Sequence, residues 1–356
     1  MSRIAVVIAA RNATATIASA VRSALEQPEV GRVLIVDDGS TDDTLGAARG
    51  ADDGSGRLHP IRLDVNRGPA HARNIAIANA REEFVSILDA DDFFLPGRMA
   101  RLLAAGPFDM AADNIAFVRE GSKPAADPLA LRAAVESQFA DDAPPSELTL
   151  PAFIEGNITR RGRPRGELGF LKPIIRRELL AGLEGPYDVS LRLGEDYDLY
   201  ARLLCAGARF KVIRACGYAA IVRGNSLSGR HSAEDLRRFA GVDAQLAARP
   251  GLDRQARRMA LRHGAQSLAR FEHRRFLQEK SERGLLAAAG ALARRPAAWR
   301  AVVTGVGADK LGSVMRSPPS PDIRFLFPPV HGTTRTNHSH APLLRGAAKI
   351  PEGSSS

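Results

Sequence analysis

Asp89, Asp91 and Asp92 place three carboxylates within four residues, directly after the short apolar run 84–88 and before Phe93, Phe94 and the pair Pro96-Gly97. Carboxylates this close repel one another, so the cluster makes chemical sense where a divalent cation or a bound cationic group neutralises it. A lone Asp-x-Asp is equally well explained as a polar turn, since loops favour Asp for its local hydrogen bonding. Two further acidic stretches weigh against that here. Asp37-Asp38-Gly39-Ser40-Thr41-Asp42 closes the apolar run 32–36. Gly194-Glu195-Asp196-Tyr197-Asp198-Leu199 opens a segment in which Asp196, Leu199, Tyr200 and Leu203 fall on one helical face. Glu195 and Asp196 in a first helical turn complement the helix dipole whatever else they do.

The elements that must position these acids follow a regular order. Residues 3–9 read as a buried parallel strand, and Ile17, Val21 and Leu25 recur at helical spacing before Pro28. Residues 32–36 form a second strand, 45–51 a short helix and 58–63 a third strand. Pro69 then opens a helix over 70–80, and 84–88 is the fourth strand. This alternation predicts an α/β fold with a mainly parallel sheet flanked by helices. In such a sheet ligands bind beyond the carboxyl ends of the strands, so the loop at Ala9 and Arg11, the Asp37-Asp38 turn, the Asn66-Arg67-Gly68 loop and the Asp89 cluster should line one crevice. No Gly-x-Gly-x-x-Gly follows the first strand and no Gly-x-x-x-x-Gly-Lys occurs. A nucleotide here has to be held by acids on its base and ribose and by a metal on its phosphates.

Ile35-Val36-Asp37-Asp38-Gly39-Ser40-Thr41-Asp42, Asn66-Arg67-Gly68 with Ala72-Arg73-Asn74, Leu88-Asp89-Ala90-Asp91-Asp92 and Gly194-Glu195-Asp196-Tyr197-Asp198-Leu199 occur in this order. As a set they resemble the family 2 glycosyltransferases of the GT-A fold. The resemblance is close over the first 110 residues and looser to about residue 235. Within the family, the run from Val7 through Arg98 is most similar to rhizobial glucosyltransferases that build succinoglycan-type exopolysaccharide. The resemblance implies a UDP-sugar donor, UDP-glucose for that subgroup, bound through Mg²⁺ or Mn²⁺. It implies a lipid-linked oligosaccharide acceptor and a β-glycosidic product formed with inversion. It also implies Asp37 or Asp38 at the uracil, Asp89 near the ribose, and Asp91 as metal ligand with Asp89 beside it. Asp196, accompanied by Glu195, is implied as catalytic base. Arg67 and Arg73 flank a helix start within reach of phosphate or uracil. In similar proteins the region after the last strand closes over the diphosphate, which offers Arg223 for the leaving group and His231 for the metal shell.

The rest of the chain frames this centre. The 356 residues are 44% hydrophobic and 25% charged, an ordinary globular composition. Residues 1–235 are expected to form the catalytic domain, with 1–110 on the nucleotide-sugar side and 111–235 on the acceptor side. Residues 209–213 and 217–222 read as two last strands, and 167–176, with its internal Pro173, as an edge strand or bulge. Residues 236–315 read as a basic helical extension, with Leu261, Ala265, Leu268 and Phe271 expected to pack on the catalytic domain. Residues 316–356, rich in Pro, Ser, His and Gly, lack the apolar density to fold alone. Between residues 251 and 300 twelve Lys and Arg face four Asp and Glu, so much of the net charge of +10 sits in the extension. Its basic faces suit peripheral contact with an anionic inner leaflet. Cys205 and Cys216 give no disulfide framework, and no apolar run reaches the ~18 residues a spanning helix needs, so a cytoplasmic location is expected.

Two rival readings account for less. A phosphatase using Asp-x-Asp leaves the Asp37-Asp38 turn and the Glu195-Asp196 helix start without a purpose. A nucleic-acid-binding protein built on the basic helices needs none of the acids and lacks interleaved aromatics, which make up 5% of the chain.

Overall fold

The computed structural model describes residues 3–122, 128–136, 144–160, 167–223, 231–314 and 321–328. In chain order the elements are β1 (Ile4–Ala10), α1 (Ile17–Leu25), β2 (Val30–Asp38), α2 (Thr44–Arg49), β3 (Leu58–Leu63), α3 (Pro69–Asn79), β4 (Phe84–Ile87), β5 (Phe93–Phe94), α4 (Arg98–Leu103) and β6 (Met110–Arg119). They continue with α5 (Pro128–Glu136), β7 (Ser146–Glu147), α6 (Leu150–Asn157), β8 (Ile174–Arg176), α7 (Arg177–Ala181), α8 (Glu195–Cys205) and β9 (Phe210–Val222). The chain closes with α9 (Ala233–Ala248), α10 (Arg254–Arg283), α11 (Leu285–Ala293), α12 (Trp299–Val314) and β10 (Ile323–Phe325).

The strands order as β3-β2-β1-β4-β8-β6-β9-β5 in one sheet, with β10 added on β6 and β7 on β9. β1 runs parallel to both β2 and β4, β2 parallel to β3, and β6 parallel to β9. Because Ala10 stands beside Asp37 and Asp38 beside Leu63, the carboxyl ends of β1, β2 and β3 finish level with one another. The loops expected to converge therefore do so. β1 is buried on both faces, as its unbroken Ile-Ala-Val-Val-Ile run requires.

Four expectations are corrected. Residues 174–176 are not an edge: β8 lies between β4 and β6, antiparallel to both. Pro173 sits just before the strand, where its missing N–H interrupts no ladder. The two last strands are one, β9, whose pairing with β6 shifts register around Asn114. The tail is not unstructured throughout, since Ile323–Phe325 pairs antiparallel with β6 and Asn114 bonds both backbone groups of Phe327. This segment borrows a ready-made edge instead of folding alone. Finally, the apolar stripe expected to bury α10 does not: Leu261 and Leu268 are exposed, and Ala256, Ala260, His263 and Ser267 face inward. Small residues let α10 approach α9 closely, which leaves the leucines outside. Phe239, Val242, Leu246 and Ala260 share one core with Leu199 and Tyr200, so packing does not break at residue 235.

Candidate active site

α8 carries Glu195 and Asp196 in its first turn. It starts at Gly194, which has φ +76° and so much of the Phe239 ring against its Cα that any side chain would collide with it. The tight turn aims the helix start at the end of β4. There two buried cations meet the acids. Arg73, on α3, donates through Nη2 to Asp89 Oδ1 at 2.7 Å and through Nη1 to Glu195 Oε1 at 3.0 Å, with Nη1 3.8 Å from Asp196 Oδ1. Lys172, just before β8, places Nζ 2.8 Å from Asp196 Oδ2 and 3.0 Å from Asp89 Oδ2. The Tyr187 hydroxyl donates to Asp196 Oδ1 at 2.9 Å, and the Arg73 guanidinium lies over the Tyr187 ring.

Burial acts on Asp89, Lys172, Arg73 and Tyr187, and their partners decide the outcome for the three charged groups. Burial alone would raise the Asp89 carboxyl, but the Lys172 and Arg73 charges outweigh it and hold Asp89 well below the ordinary carboxylate range. Burial would likewise lower Lys172 and Arg73, yet the Asp196 and Asp89 carboxylates push both upward, so both stay charged. Tyr187 is pushed well up by burial and by Asp196, and keeps the proton it donates. Asp196 thus has one donor on each oxygen, and a carboxylate with about four lone-pair positions retains capacity for another proton.

Lys172 is itself held from behind. Arg98 is fully buried, pairs with Asp113 at 2.8 Å, donates to the Lys172 carbonyl and lies against the rings of both Phe94 and Tyr218. Gly217 is needed there because a Cβ would strike Asp113 and Arg98. Tyr218 in turn shapes the acid loop: its hydroxyl accepts the Asp89 N–H and donates to Asp92 Oδ2 at 2.7 Å. Asp92 also accepts from the Ile221 N–H at 2.9 Å. Burial and the neighbouring Asp89 and Asp91 charges push Asp92 well up, which suits a loop anchor.

Asp91 differs from its neighbours. Its side chain is 38% exposed and lies 3.3 Å from Arg223 Nη1, while Arg223 also bonds Glu120. Burial and the Asp89 charge raise its carboxyl. Among the described residues no group of three His, Cys, Asp or Glu is placed to hold a metal. An accessible single carboxylate nevertheless fits Mg²⁺ or Mn²⁺, since such ions are commonly bound by one or two carboxylates together with substrate phosphates. His231 lies partly buried just before α9, and residues 224–230 between it and Arg223 fall outside the described residues.

Both carboxylates of the Asp37-Asp38 turn are engaged by protein partners. Asp37 accepts from the Ser40 N–H at 3.0 Å, from the Ser40 hydroxyl, and from Arg62 at 3.2 Å. Asp38 accepts from the backbone N–H groups of Arg67 and Gly68 at 2.8 and 2.7 Å, which ties the β2 end to the α3 entry. The Arg67 side chain is exposed. Ala9 is partly buried at the end of β1, and Arg11 is exposed beside Asn12, whose side chain and N–H bond Thr41 and Ser40.

Of the residues singled out from sequence, Asp89, Arg73, Glu195 and Asp196 are brought into one ion cluster, and Asp91 meets Arg223. Lys172 and Tyr187 were missed. A lysine inside the apolar run Gly-Phe-Leu-Lys-Pro-Ile-Ile was the available signal, because a buried ammonium needs an acid partner. Behind α8, the Tyr197 hydroxyl donates to buried Asp243 at 2.7 Å, and Asp243 meets His263 Nδ1 at 2.8 Å, which fixes the helix against α9 and α10.

The model of the family described as glycosyl transferase family 2 matches residues 5–143. The chain belongs to glycosyltransferase family 2. It is 47% identical over 308 residues to the succinoglycan biosynthesis protein ExoU of Rhizobium meliloti (strain 1021), covering 86% of this chain and 87% of that protein. It is 34% identical over 358 residues to the succinoglycan biosynthesis protein ExoO of the same organism, covering 98% and 94%. Residues 1–349 of S. aureus TarS, solved in complex with UDP-GlcNAc, superpose with a TM-score of 0.53 at 21% identity, over 79% of this chain and 74% of that one. That likeness establishes the fold as GT-A type, and the protein is a glycosyltransferase.

Proposed function

We propose that the enzyme transfers glucose from UDP-glucose to a hydroxyl of a growing lipid-linked oligosaccharide in succinoglycan-type exopolysaccharide assembly, with inversion to a β-glycosidic bond. The observation that carries the site assignment is the shared cation cluster. Lys172 and Arg73 each touch both Asp89, at a strand end on the donor side, and Asp196, at the acceptor-side helix start. The pathway rests on the likeness to the succinoglycan biosynthesis proteins ExoU and ExoO, and glucose on the resemblance of the run from Val7 through Arg98 to rhizobial glucosyltransferases.

In this reading Asp196 accepts the proton of the attacking hydroxyl. A bond forms between that oxygen and the anomeric carbon, the bond from that carbon to the diphosphate oxygen breaks, and the electron pair leaves with UDP. Lys172 and Tyr187 fix the carboxylate so that its free lone pairs face the acceptor, and Glu195 holds Arg73 in place. Asp91 would hold Mg²⁺ or Mn²⁺, with His231 as a further ligand. When bound, the ion supplies Lewis-acid neutralisation of the charge that develops on the leaving group. Asp89 serves the ribose, and Arg223, once released from Asp91, serves the diphosphate. Asp37 and Asp38 hold the loops against which the uracil lies, flanked by Ala9, Arg11 and Arg67.

Thermal melting with Mn²⁺ and UDP tests the donor site. A rise that needs both ligands is expected, and Asp91→Ala should abolish the metal-dependent part. A full UDP shift without metal, or one unchanged in Asp91→Ala, removes Asp91 from this role. A panel of radiolabelled sugar nucleotides incubated with membrane lipid extract tests the choice of glucose.

A further inference from the structure

α11 is an unusual surface helix. Its nine residues, Leu-Leu-Ala-Ala-Ala-Gly-Ala-Leu-Ala, carry no charge, yet Ala288 is the one residue of the helix that is buried. Leu285 is 58% and Leu286 90% exposed, and α12 follows with exposed Trp299 and Val303. At about 100° per residue, Leu286, Ala289 and Ala293 share one side of α11, and Ala287, Ala291 and Arg294 share another. On that second side a groove of about 500 Å³ runs between α10 and α11, lined by Arg275, Arg283, Arg294 and Arg295 with Glu279. Glu279 is taken up by Arg275 and Arg295, whereas Arg283 and Arg294 have no acidic partner among the described residues. These two arginines bracket the apolar helix, one at each end.

We propose that α11 and its flanking arginines form the face by which this protein lies on an anionic phospholipid surface. Leu285 and Leu286 enter the boundary between headgroups and acyl chains, and Arg283 and Arg294 meet lipid phosphates. Charge complementarity selects this occupant. A second copy of the chain would bring the same excess of arginine against itself, and a nucleic acid would leave the leucines in water. A bilayer of anionic lipid offers an apolar layer directly beneath a negative one, which matches an apolar helix bracketed by cations. No helix among the described residues is long and apolar enough to cross a membrane, so the contact is interfacial.

Flotation of the full chain with vesicles tests this. The protein should float with vesicles of equal parts phosphatidylglycerol and phosphatidylcholine, less as salt rises, and should stay behind with phosphatidylcholine alone. The double change Arg283→Gln with Arg294→Gln should weaken binding roughly thirtyfold, the effect of two surface cations. Leu285→Ser with Leu286→Ser should weaken it at least about tenfold. Far-UV circular dichroism and the melting temperature should be unchanged in both variants. Flotation independent of phosphatidylglycerol, unaffected by the serine pair, or absent overturns the proposal, as does dimerisation or RNA binding by this face without vesicle binding.

Discussion

The crevice and the C-terminal extension handle charge in opposite ways. Around Lys172 and Arg73, acids and bases are matched sign against sign, with the partly exposed Asp89 and Glu195 and the buried Asp196 facing two buried cations. On α10–α12 many arginines point to solvent, and Arg275 is 43% exposed where it meets Glu279, although Arg295 with Glu272 and Glu279 is better covered. A buried ion pair is costly to break because the remaining charge is stranded, whereas an exposed pair is worth little. The excess of basic residues in the extension therefore says something about partners and little about stability, and the near-balance in the crevice says the reverse.

Substitutions should separate the two regions by orders of magnitude. Asp196→Asn keeps the shape of the cluster but removes the proton acceptor, so transfer should fall roughly a thousandfold, about 4 kcal/mol of barrier, with the UDP and Mn²⁺ melting shift retained. Normal turnover of purified Asp196→Asn would remove it as base. Arg73→Met removes the cation paired with Glu195 and one of the two cations paired with Asp89, both partly exposed acids, and should cost about 2–3 kcal/mol in urea unfolding. A loss below about 1 kcal/mol would mean that water replaces the guanidinium.

Lys172→Met is expected to act next most strongly, through pH. Asp89 is depressed in the folded protein, so its stabilisation is present above the ordinary carboxylate range and is lost as pH falls through the depressed value. Without Lys172 one of the two opposing cations is gone, the folded value rises, and acid unfolding should begin about one pH unit higher. An unchanged acid limb argues that Arg73 alone controls Asp89. Arg275→Gln, on the exposed side of the comparison, should change unfolding free energy by less than about 0.5 kcal/mol. A larger effect would show that the extension's ion pairs behave as a network.

Much of this contrast was legible in the chain. Alternating apolar runs and helical spacing gave the strands that end at Asp38 and Asp89, because a parallel strand buried on both faces must be continuously apolar. Glu195 and Asp196 ahead of Leu199, Tyr200 and Leu203 marked the start of α8. What failed had a common cause. Tyr187 and Lys172 sit in segments with no periodicity of their own, and their partners lie 9 and 24 residues away in sequence at Asp196. The stripe Leu261, Ala265, Leu268, Phe271 had the right spacing and the wrong face, since amphipathic spacing does not say which side the protein core occupies.

The sequence by itself determined which residues could do chemistry and the strand ends that carry them. Only the tertiary structure decided how those acids are neutralised: Arg73 reaches Asp89 and Glu195 from α3, and Lys172 reaches Asp89 and Asp196 from beside β8. The reason is that ion pairing depends on distance in space and on loss of water, and neither is a property of neighbours along the chain.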